Sequence, residues 1–515
     1  MRTIHLIILI VAGFVLLSGT DSKAFGKEHV SKICLAPKSM ALHVSDPDLM
    51  GLSSPKAKRL GRVLKSLLDA VEFDRINQSV RSESLRDYIL SVQSFPRGIY
   101  SGDYQSEPFP DPGSIISIGL VRKLIDDAVV NRPPDLRVTP RQQKAFYFFM
   151  FGDSLTREEM LLVLGKEHAP LLQDFLDIGL FVLDTEGRIR MNGLSLFSRV
   201  LRNGKVLYGF VDTPIYLDDS IDRERVYIGP DSYQLQNRLS AFRRVSGTVA
   251  ETGTGSGIQL ITACLLFPGI QQAIGLEIDR RAIQVSRFNA VLNGVDRKIS
   301  VYQNPEAFSR ALKNRPVSLA LSNPPFMHIP SQIQVLPDHV PLIPEYVSVD
   351  LTGSLPKIDL RDMSVKAGWG GADGLAVTRE FLELLLPAIE PGGTLILFSQ
   401  FAGNAVGPTR IFELAQTHGN VRVRFEPIPG YAPFDVAFWS DMIVHLLLQQ
   451  NPDLNSRPKG PLLSMLEQFR KEILSAYQSR GITHIHSGTF RIVKSGRNAI
   501  WKSWVSSLQS LLRSS

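Results

Sequence analysis

The chain has 515 residues, 44% hydrophobic and 21% charged, an ordinary globular composition with room for two or three domains. Its two cysteines, Cys34 and Cys264, exclude a disulfide framework, and no clustered Cys/His spacing suggests a zinc module. The net charge of +7 is uneven: residues 1–60 carry +4, residues 456–515 carry +8 and the body between them −5, so the basic C-terminal end reads either as a solvated helical tail or as a handle for RNA or another polyanion.

Residues 1–24 open with one early positive charge and a short apolar run, too short for a membrane span, followed by small residues at Ser22 and Ala24. This is the pattern of a cleavable signal peptide. Residues 25–60 begin with Phe25 and form a basic, serine-containing stretch of targeting or linker character. Together the two segments resemble the bipartite plastid-targeting leader of algae with complex plastids. Ordinary secretion, an uncleaved anchor, or a true start near Met40 or Met50 are the other readings.

Residues 61–204 read as an α-rich N-terminal domain. The spacing in LGRVLKSLLDAVEFDRI predicts a helix, Pro96 to Pro112 a loop, and ISIGLVRKLIDDAVV another helix. Over 137–200, Thr156 and Glu159 form a capping box before MLLVLG, APLLQDFLDIGL predicts a second helix, and FVLDTEGRIRM a small hairpin. Helix, helix and hairpin suggest a winged-helix-like unit, although Asp174 and Asp177 on the second helix argue against a DNA-reading face.

From 205 to 450 short apolar runs (GTVAETG, AIGLEID, ISVYQ, VSLALSN, GTLILFSQ, VRVRFEP, DMIVHLLLQ) alternate with helical stretches, which predicts an α/β domain with a mostly parallel sheet. Residues 451–515 read as a basic extension with helices over 461–479 and in IWKSWVSSLQSLL.

The stretch GTVAETGTGSGIQLITACLL is a strand, a glycine turn and a helix. Gly253, Gly255 and Gly257 are spaced G-x-G-x-G, whereas a dinucleotide fingerprint needs G-x-G-x-x-G and a P-loop needs a lysine. Phosphate cradling is disfavoured. Backbone exposed at a helix N-terminus still suits a carboxylate, and Glu277, at the end of the next strand, can accept both hydroxyls of a ribose. A ligand with a ribose and an amino-acid carboxylate but no phosphate is S-adenosylmethionine.

GTVAETGTGSG, GLEIDRRAIQVSRFNAVLNG and LSNPPF together resemble the class I S-adenosylmethionine-dependent methyltransferases. More narrowly they resemble the "small" group, with its release-factor glutamine N5-methyltransferases and ribosomal-RNA guanine-N2 methyltransferases. GGADGLAVTREFLELLLPAIEPGGTLIL is similar to the glutamine-methylating branch. The resemblance covers roughly 225–450 and implies a Rossmann-like seven-stranded methyltransferase sheet. It also implies that Gly253, Gly255 and Gly257 shape the cofactor turn, that Glu251 stands where the family commonly has Asp, that Glu277 binds ribose and that Asn304 lies near the adenine.

The Asn-Pro-Pro-Phe sequence ends an apolar strand, where open α/β sheets place their active sites. An amide or aromatic amine is a poor nucleophile, so methyl transfer to it depends on alignment. The side-chain oxygen of Asn323 and the carbonyl of Pro324 can each accept one N–H, aiming the nitrogen lone pair and stabilising charge that develops on it. Pro324 and Pro325 hold the acceptors rigid, and Phe326 offers a flat face to a planar substrate. His328 could touch substrate, and Asp373 is better suited to bracing a loop.

The residues thus predict N-methyl transfer to a protein glutamine, as GGADGL suggests, or to an RNA guanine, as Phe326 and the basic end suggest. A non-catalytic RNA-binding protein that keeps the fold, or a small-molecule N-methyltransferase, are the alternatives. The need for a cofactor scarce outside cells favours the plastid reading of the leader.

Overall fold

The computed structural model describes residues 50–75, 138–212, 230–325, 374–428, 433–441 and 477–495, with a few positions between these ranges. Residues 1–49 of the predicted leader, the helix in ISIGLVRKLIDDAVV, the Pro96–Pro112 loop and the helix in IWKSWVSSLQSLL lie outside the described residues, as do Phe326, His328 and Asp373. The end of the predicted 25–60 linker is instead folded, because Pro55 opens a helix that buries Ala57 and Leu60.

The N-terminal part starts with α1 (Pro55–Ala70), whose N-cap is the Ser54 hydroxyl and whose leucines at 60, 64, 67 and 68 are buried. α2 (Pro140–Phe146) and α3 (Arg157–Leu164) each open with a full capping box, from Thr139 with Gln142 and from Thr156 with Glu159. α4 (Leu172–Asp177) follows, then the hairpin β1 (Phe181–Leu183) with β2 (Ile189–Met191), and a longer hairpin of β3 (Leu194–Val200) with β4 (Val206–Asp212).

The helices and hairpin expected over 137–192 are therefore present, but they run straight on into β3 and β4. The acidic face of α4 is engaged internally. Lys56 reaches Asp174 and Asp177 at 2.7 Å, and Arg59 reaches Asp174 at 2.7 Å. That face is turned to α1 rather than to a nucleic acid.

The second part is an α/β layer. α5 (Pro230–Ser240) leads into β5 (Gly247–Thr252), α6 (Ile258–Leu266), β6 (Ile270–Leu276), α7 (Arg280–Leu292), β7 (Ile299–Tyr302), α8 (Pro305–Leu312) and β8 (Val317–Ser322). A two-residue ladder, β9 (Ser348–Val349) with β10 (Ile358–Asp359), precedes α9 (Ala376–Leu385), β11 (Ile389–Gly403), α10 (Arg410–Gln416), β12 (Val421–Pro427), β13 (Phe434–Asp435) and β14 (His484–Lys494).

The sheet order is β12-β14-β11-β8-β5-β6-β7. The five strands from β11 to β7 are parallel, and β14 runs antiparallel between β11 and β12. This is a Rossmann-like sheet in which β14, the last strand among the described residues, is inserted one place in from the edge. Val249 and Leu319 face a core built with α5 and α6, and Ala250 and Leu397 face the opposite core built with α8, α9 and α10. Cover on both faces explains why β5 and β8 are buried without alternation.

Two expectations need correcting. The sheet does not stop at residue 450. His484–Lys494, within the stretch read as a helical extension, pairs with β11 from Thr394↔Val493 to Gly403↔His484. Described positions between Glu467 and Gln478 are helical, so the extension is a helix followed by a core strand. DMIVHLLLQ, read as a strand, begins at Asp441 in helical conformation, and its remaining residues lie outside the described ones.

The two parts share α7. Ala282, Val285, Phe288 and Leu292 belong to the same core as α1 and the phenylalanines of 146–151. Asn289 and Asn293 act as a substitute strand for β4. Phe210 N–H donates to Asn289 Oδ1 at 2.7 Å and Tyr208 N–H to Asn293 Oδ1 at 3.0 Å, while the two amide nitrogens donate back to the carbonyls of Phe210 and Tyr208. A buried ion pair, Arg281 Nε to Asp212 Oδ1 at 2.7 Å, closes the same interface.

Candidate active site

The glycine turn sits between β5 and α6. Gly253, Gly255 and Gly257 have φ of +69°, +52° and +78°, a left-handed backbone that side chains with a Cβ resist. Their surroundings differ. A Cβ on Gly257 would fall 2.9 Å from the Cβ of Ser286, so this glycine lets the turn pack on α7. A Cβ on Gly255 would meet nothing within 4 Å, so this glycine borders open space. The turn is pinned from below, where Gly253 N–H and Thr254 N–H both donate to the Leu276 carbonyl at 3.0 and 3.1 Å. Asn289 Nδ2 also donates to the Ser256 carbonyl at 2.9 Å, tying the turn to α7 and through it to β4.

Glu277 stands where expected, at the end of β6 beside the turn. Its Oε2 accepts from Gly255 N–H at 2.7 Å and its Oε1 from Asp279 N–H at 2.9 Å. Both oxygens are thereby fixed in place and each keeps a second lone pair. Burial pushes its carboxyl above the ordinary carboxylate range, and the backbone donors pull it back. Glu251 is fully buried under the turn, and its Oε2 has no hydrogen-bond partner among the described residues. Burial, and then the charge of Glu277, push the Glu251 carboxyl well above its ordinary value.

The Glu277 carboxylate, with the buried acid of Glu251 behind it, disfavours a phosphate beside the glycine turn and suits a ligand that brings hydroxyls and positive charge. S-adenosylmethionine, with a ribose, an ammonium and a sulfonium, fits this donor set. Glu277 would hold the ribose, and the backbone of 253–257 would lie along the amino-acid end. Asn304 is an exposed N-cap of α8, its Oδ1 accepting from Ala307 N–H at 2.8 Å. Any contact of its side chain with an adenine would therefore fall to Nδ2.

The strand end at Asn323 is adjacent to the turn. Thr252 and Ser322 are register partners on neighbouring strands, and Thr252 Oγ1 donates to Ser322 Oγ at 3.0 Å. A Cβ on Gly253 would lie 3.8 Å from the Asn323 carbonyl and 3.6 Å from the Phe381 ring. Pro324 is buried, while Asn323 and Pro325 are half-buried. Asn323 Nδ2 donates to Asp231 Oδ2 at 2.7 Å, and Asn323 Oδ1 is buried with no partner among the described residues.

Asp231, Asn289 and Phe381 were not singled out in the sequence. Asp231 lies 92 positions before Asn323, in a helix whose spacing marks only its apolar face, so nothing local reveals the pairing. Asn289 stands within the quoted segment RFNAVLNG, where a polar residue inside an apolar helical run was the available signal.

Residues 235–323 match the family model described as ribosomal protein L11 methyltransferase (PrmA). The match supports the class I S-adenosylmethionine-dependent methyltransferase resemblance for this segment. It spans α5 to Asn323, the elements that carry the glycine turn, Glu277 and the strand end.

The ribosomal protein L11 methyltransferases of Klebsiella pneumoniae strain 342 and Escherichia coli strain SMS-3-5 are each 40% identical to this chain over 90 residues, which is 18% of this chain and 30% of theirs. The chain thus spans less than a third of the length of these curated relatives. Among solved structures, the ribosomal protein L11 methylase of Lactobacillus delbrueckii aligns over 39% of this chain and 75% of its own, with 15% identity and a TM-score of 0.25. A S-adenosylmethionine-dependent methyltransferase of Geobacter sulfurreducens with bound S-adenosylhomocysteine aligns over 52% and 92%, with 15% identity and a TM-score of 0.27. These matches support the broader methyltransferase resemblance and do not bear on the narrower one to the glutamine and guanine branches of the "small" group.

Proposed function

We propose that the chain is an S-adenosylmethionine-dependent N-methyltransferase whose substrate is a nitrogen of a protein of the translation apparatus. The observation that carries this reading is the buried, unpartnered Oδ1 of Asn323 beside the glycine turn. An acceptor kept free in that position serves a group that arrives with N–H. The name of the matched family favours a ribosomal protein over the release-factor glutamine or RNA guanine suggested by the narrower resemblance.

The cofactor, when bound, supplies an electrophilic methyl. The protein's own part is positioning. Asn323 Oδ1 and the Pro324 carbonyl accept the N–H groups of the substrate and stabilise positive charge as it develops on nitrogen. The two prolines keep these oxygens fixed, so alignment is set before the reaction. Glu277 and the glycine turn hold the donor in register with that corner.

The test is transfer of tritiated methyl from S-adenosylmethionine to purified bacterial ribosomal subunits, followed by separate digestion with nuclease and with protease. Label that survives nuclease and is released by protease is the expected result. Label lost to nuclease would make the substrate RNA, and no label in either fraction would remove ribosomal components from consideration. Residues 1–60 are part of the same proposal as a plastid address, tested by fusing them to a fluorescent protein in an alga with complex plastids.

A further inference from the structure

Asp231 has no role in the mechanism above, yet it holds the side chain on which that mechanism depends. It lies in the first turn of α5, across the site from the end of β8. Its Oδ2 accepts from Asn323 Nδ2 at 2.7 Å, the length of a charge-assisted hydrogen bond.

The consequence is one of orientation. The two ends of a carboxamide are nearly the same size, and a free one can present either nitrogen or oxygen. An ionised carboxylate only accepts, so Asn323 must offer it the nitrogen and turn the oxygen away. That oxygen, Oδ1, is buried with no partner among the described residues, and so is Asp231 Oδ1. Buried acceptors are almost always paired, so two beside each other mark a place for donors from outside the chain. The neighbours that bear on Asp231 fit this picture. Its carboxyl is raised by burial and lowered by Asn323 and by hydrogen bonding at Ser232.

We infer that Asp231 is a positioning residue. By fixing the Asn323 amide with its oxygen toward the substrate, it makes the site selective for nucleophiles that present N–H and adverse to those that present only lone pairs, such as carboxylates. This inference rests on the N-methyltransferase reading. An acid near a helix N-terminus can also serve the helix alone, and the test must separate the two roles.

Four full-length proteins are compared: wild type, Asp231→Asn, Asn323→Ala and the double variant. Asparagine at 231 keeps the shape but can both donate and accept, so it removes the preference for one amide orientation. The readouts are methyl transfer to ribosomal subunits, S-adenosylhomocysteine affinity by calorimetry and the melting temperature. Asp231→Asn is expected to lower kcat about tenfold or more with the S-adenosylhomocysteine Kd within about twofold. In the Asn323→Ala background it should cost nothing further, because residues that act through one group are not additive.

Independent losses in the double variant, or a kcat for Asp231→Asn within about twofold of wild type, overturn the inference. A fourth readout needs no turnover. The Asn323 Nδ2–H signals of 15N-labelled protein should include one shifted downfield by the carboxylate, and Asp231→Asn should return it toward the free-amide position. An unchanged signal also overturns the inference. If wild type transfers no methyl, the functional reading fails, and the amide signals still decide whether Asp231 orients Asn323.

Discussion

On the proposed reading Asn323 serves the substrate and Glu277 the cofactor, while Glu251 lies buried beneath the turn. Substituting Asn323 by alanine removes an acceptor needed most when charge develops on nitrogen. We expect kcat to fall by roughly 10²-fold while calorimetry shows S-adenosylhomocysteine affinity nearly unchanged. Glu277→Gln acts on the other side of the site, replacing an acceptor-only group with one that also donates, and should weaken S-adenosylhomocysteine by about tenfold with little effect on kcat at saturation. Glu251 governs pH dependence. Its folded-state carboxyl titrates well above the ordinary value of about 4.3, so the folded protein holds a proton that the unfolded chain has released. The associated stability is complete below pH ~4 and is lost as pH rises through the folded-state value. Melting of the cofactor-free protein should therefore occur at lower temperature as pH is raised from 5 to 8, and Glu251→Gln should flatten that decline and melt higher than wild type at pH 8. A variant that melts with the same pH profile as wild type would place the proton elsewhere. At this scale the sequence was informative where a residue type is demanded by backbone geometry. The three glycines and the prolines at 324 and 325 advertise their conformations. Asp231 does not, because its meaning comes from a partner brought alongside only by the fold.

Among the elements, α7 is the one on which both halves depend. Its apolar side completes the N-terminal core, its asparagines pair the backbone of β4, and Asn289 also holds the glycine turn. Asn289→Leu keeps the size but leaves Phe210 N–H and the Ser256 carbonyl without partners inside the protein. A loss of ~2–4 kcal/mol in urea unfolding is expected, with weaker S-adenosylhomocysteine binding in the protein that remains folded. Gly257→Ala reports on the other side of the contact and should lower the melting temperature through both its φ of +78° and the Ser286 clash. The parallel strands were readable as short, largely apolar runs because cover on both faces buries nearly every position of β5 and β8. β14 was not. HIHSGTFRIVK alternates buried Ile485, Phe490 and Ile492 with polar residues, and follows a strongly amphipathic stretch that suggested a continuing helical tail. Gly488 interrupts its pattern for a tertiary reason: a Cβ there would lie 2.5 Å from the Phe425 ring on the neighbouring strand. Such a requirement cannot be seen from the strand alone.

For the molecule as a whole, the N-terminal unit is built into the α/β layer. The Arg281–Asp212 pair is buried at the junction, and Asp212 also accepts from Val226 N–H at 2.8 Å. Arg281→Ala should cost ~3–5 kcal/mol, since it leaves a carboxylate buried without its counter-ion, and Arg281→Met with Asp212→Asn should recover part of that loss. Additive losses in the double variant would show that the pair is not the coupling. The course of the chain through the sheet has a further consequence during synthesis. β11 and β12 leave the ribosome well before β14, so the slot between them waits for residues 484–494 while Phe398, Phe401 and Phe425 are already made. A nascent chain stalled in that interval presents a sticky open ladder to its neighbours, and a stop codon upstream of 484 would make the hazard permanent, yielding aggregates rather than a shortened enzyme.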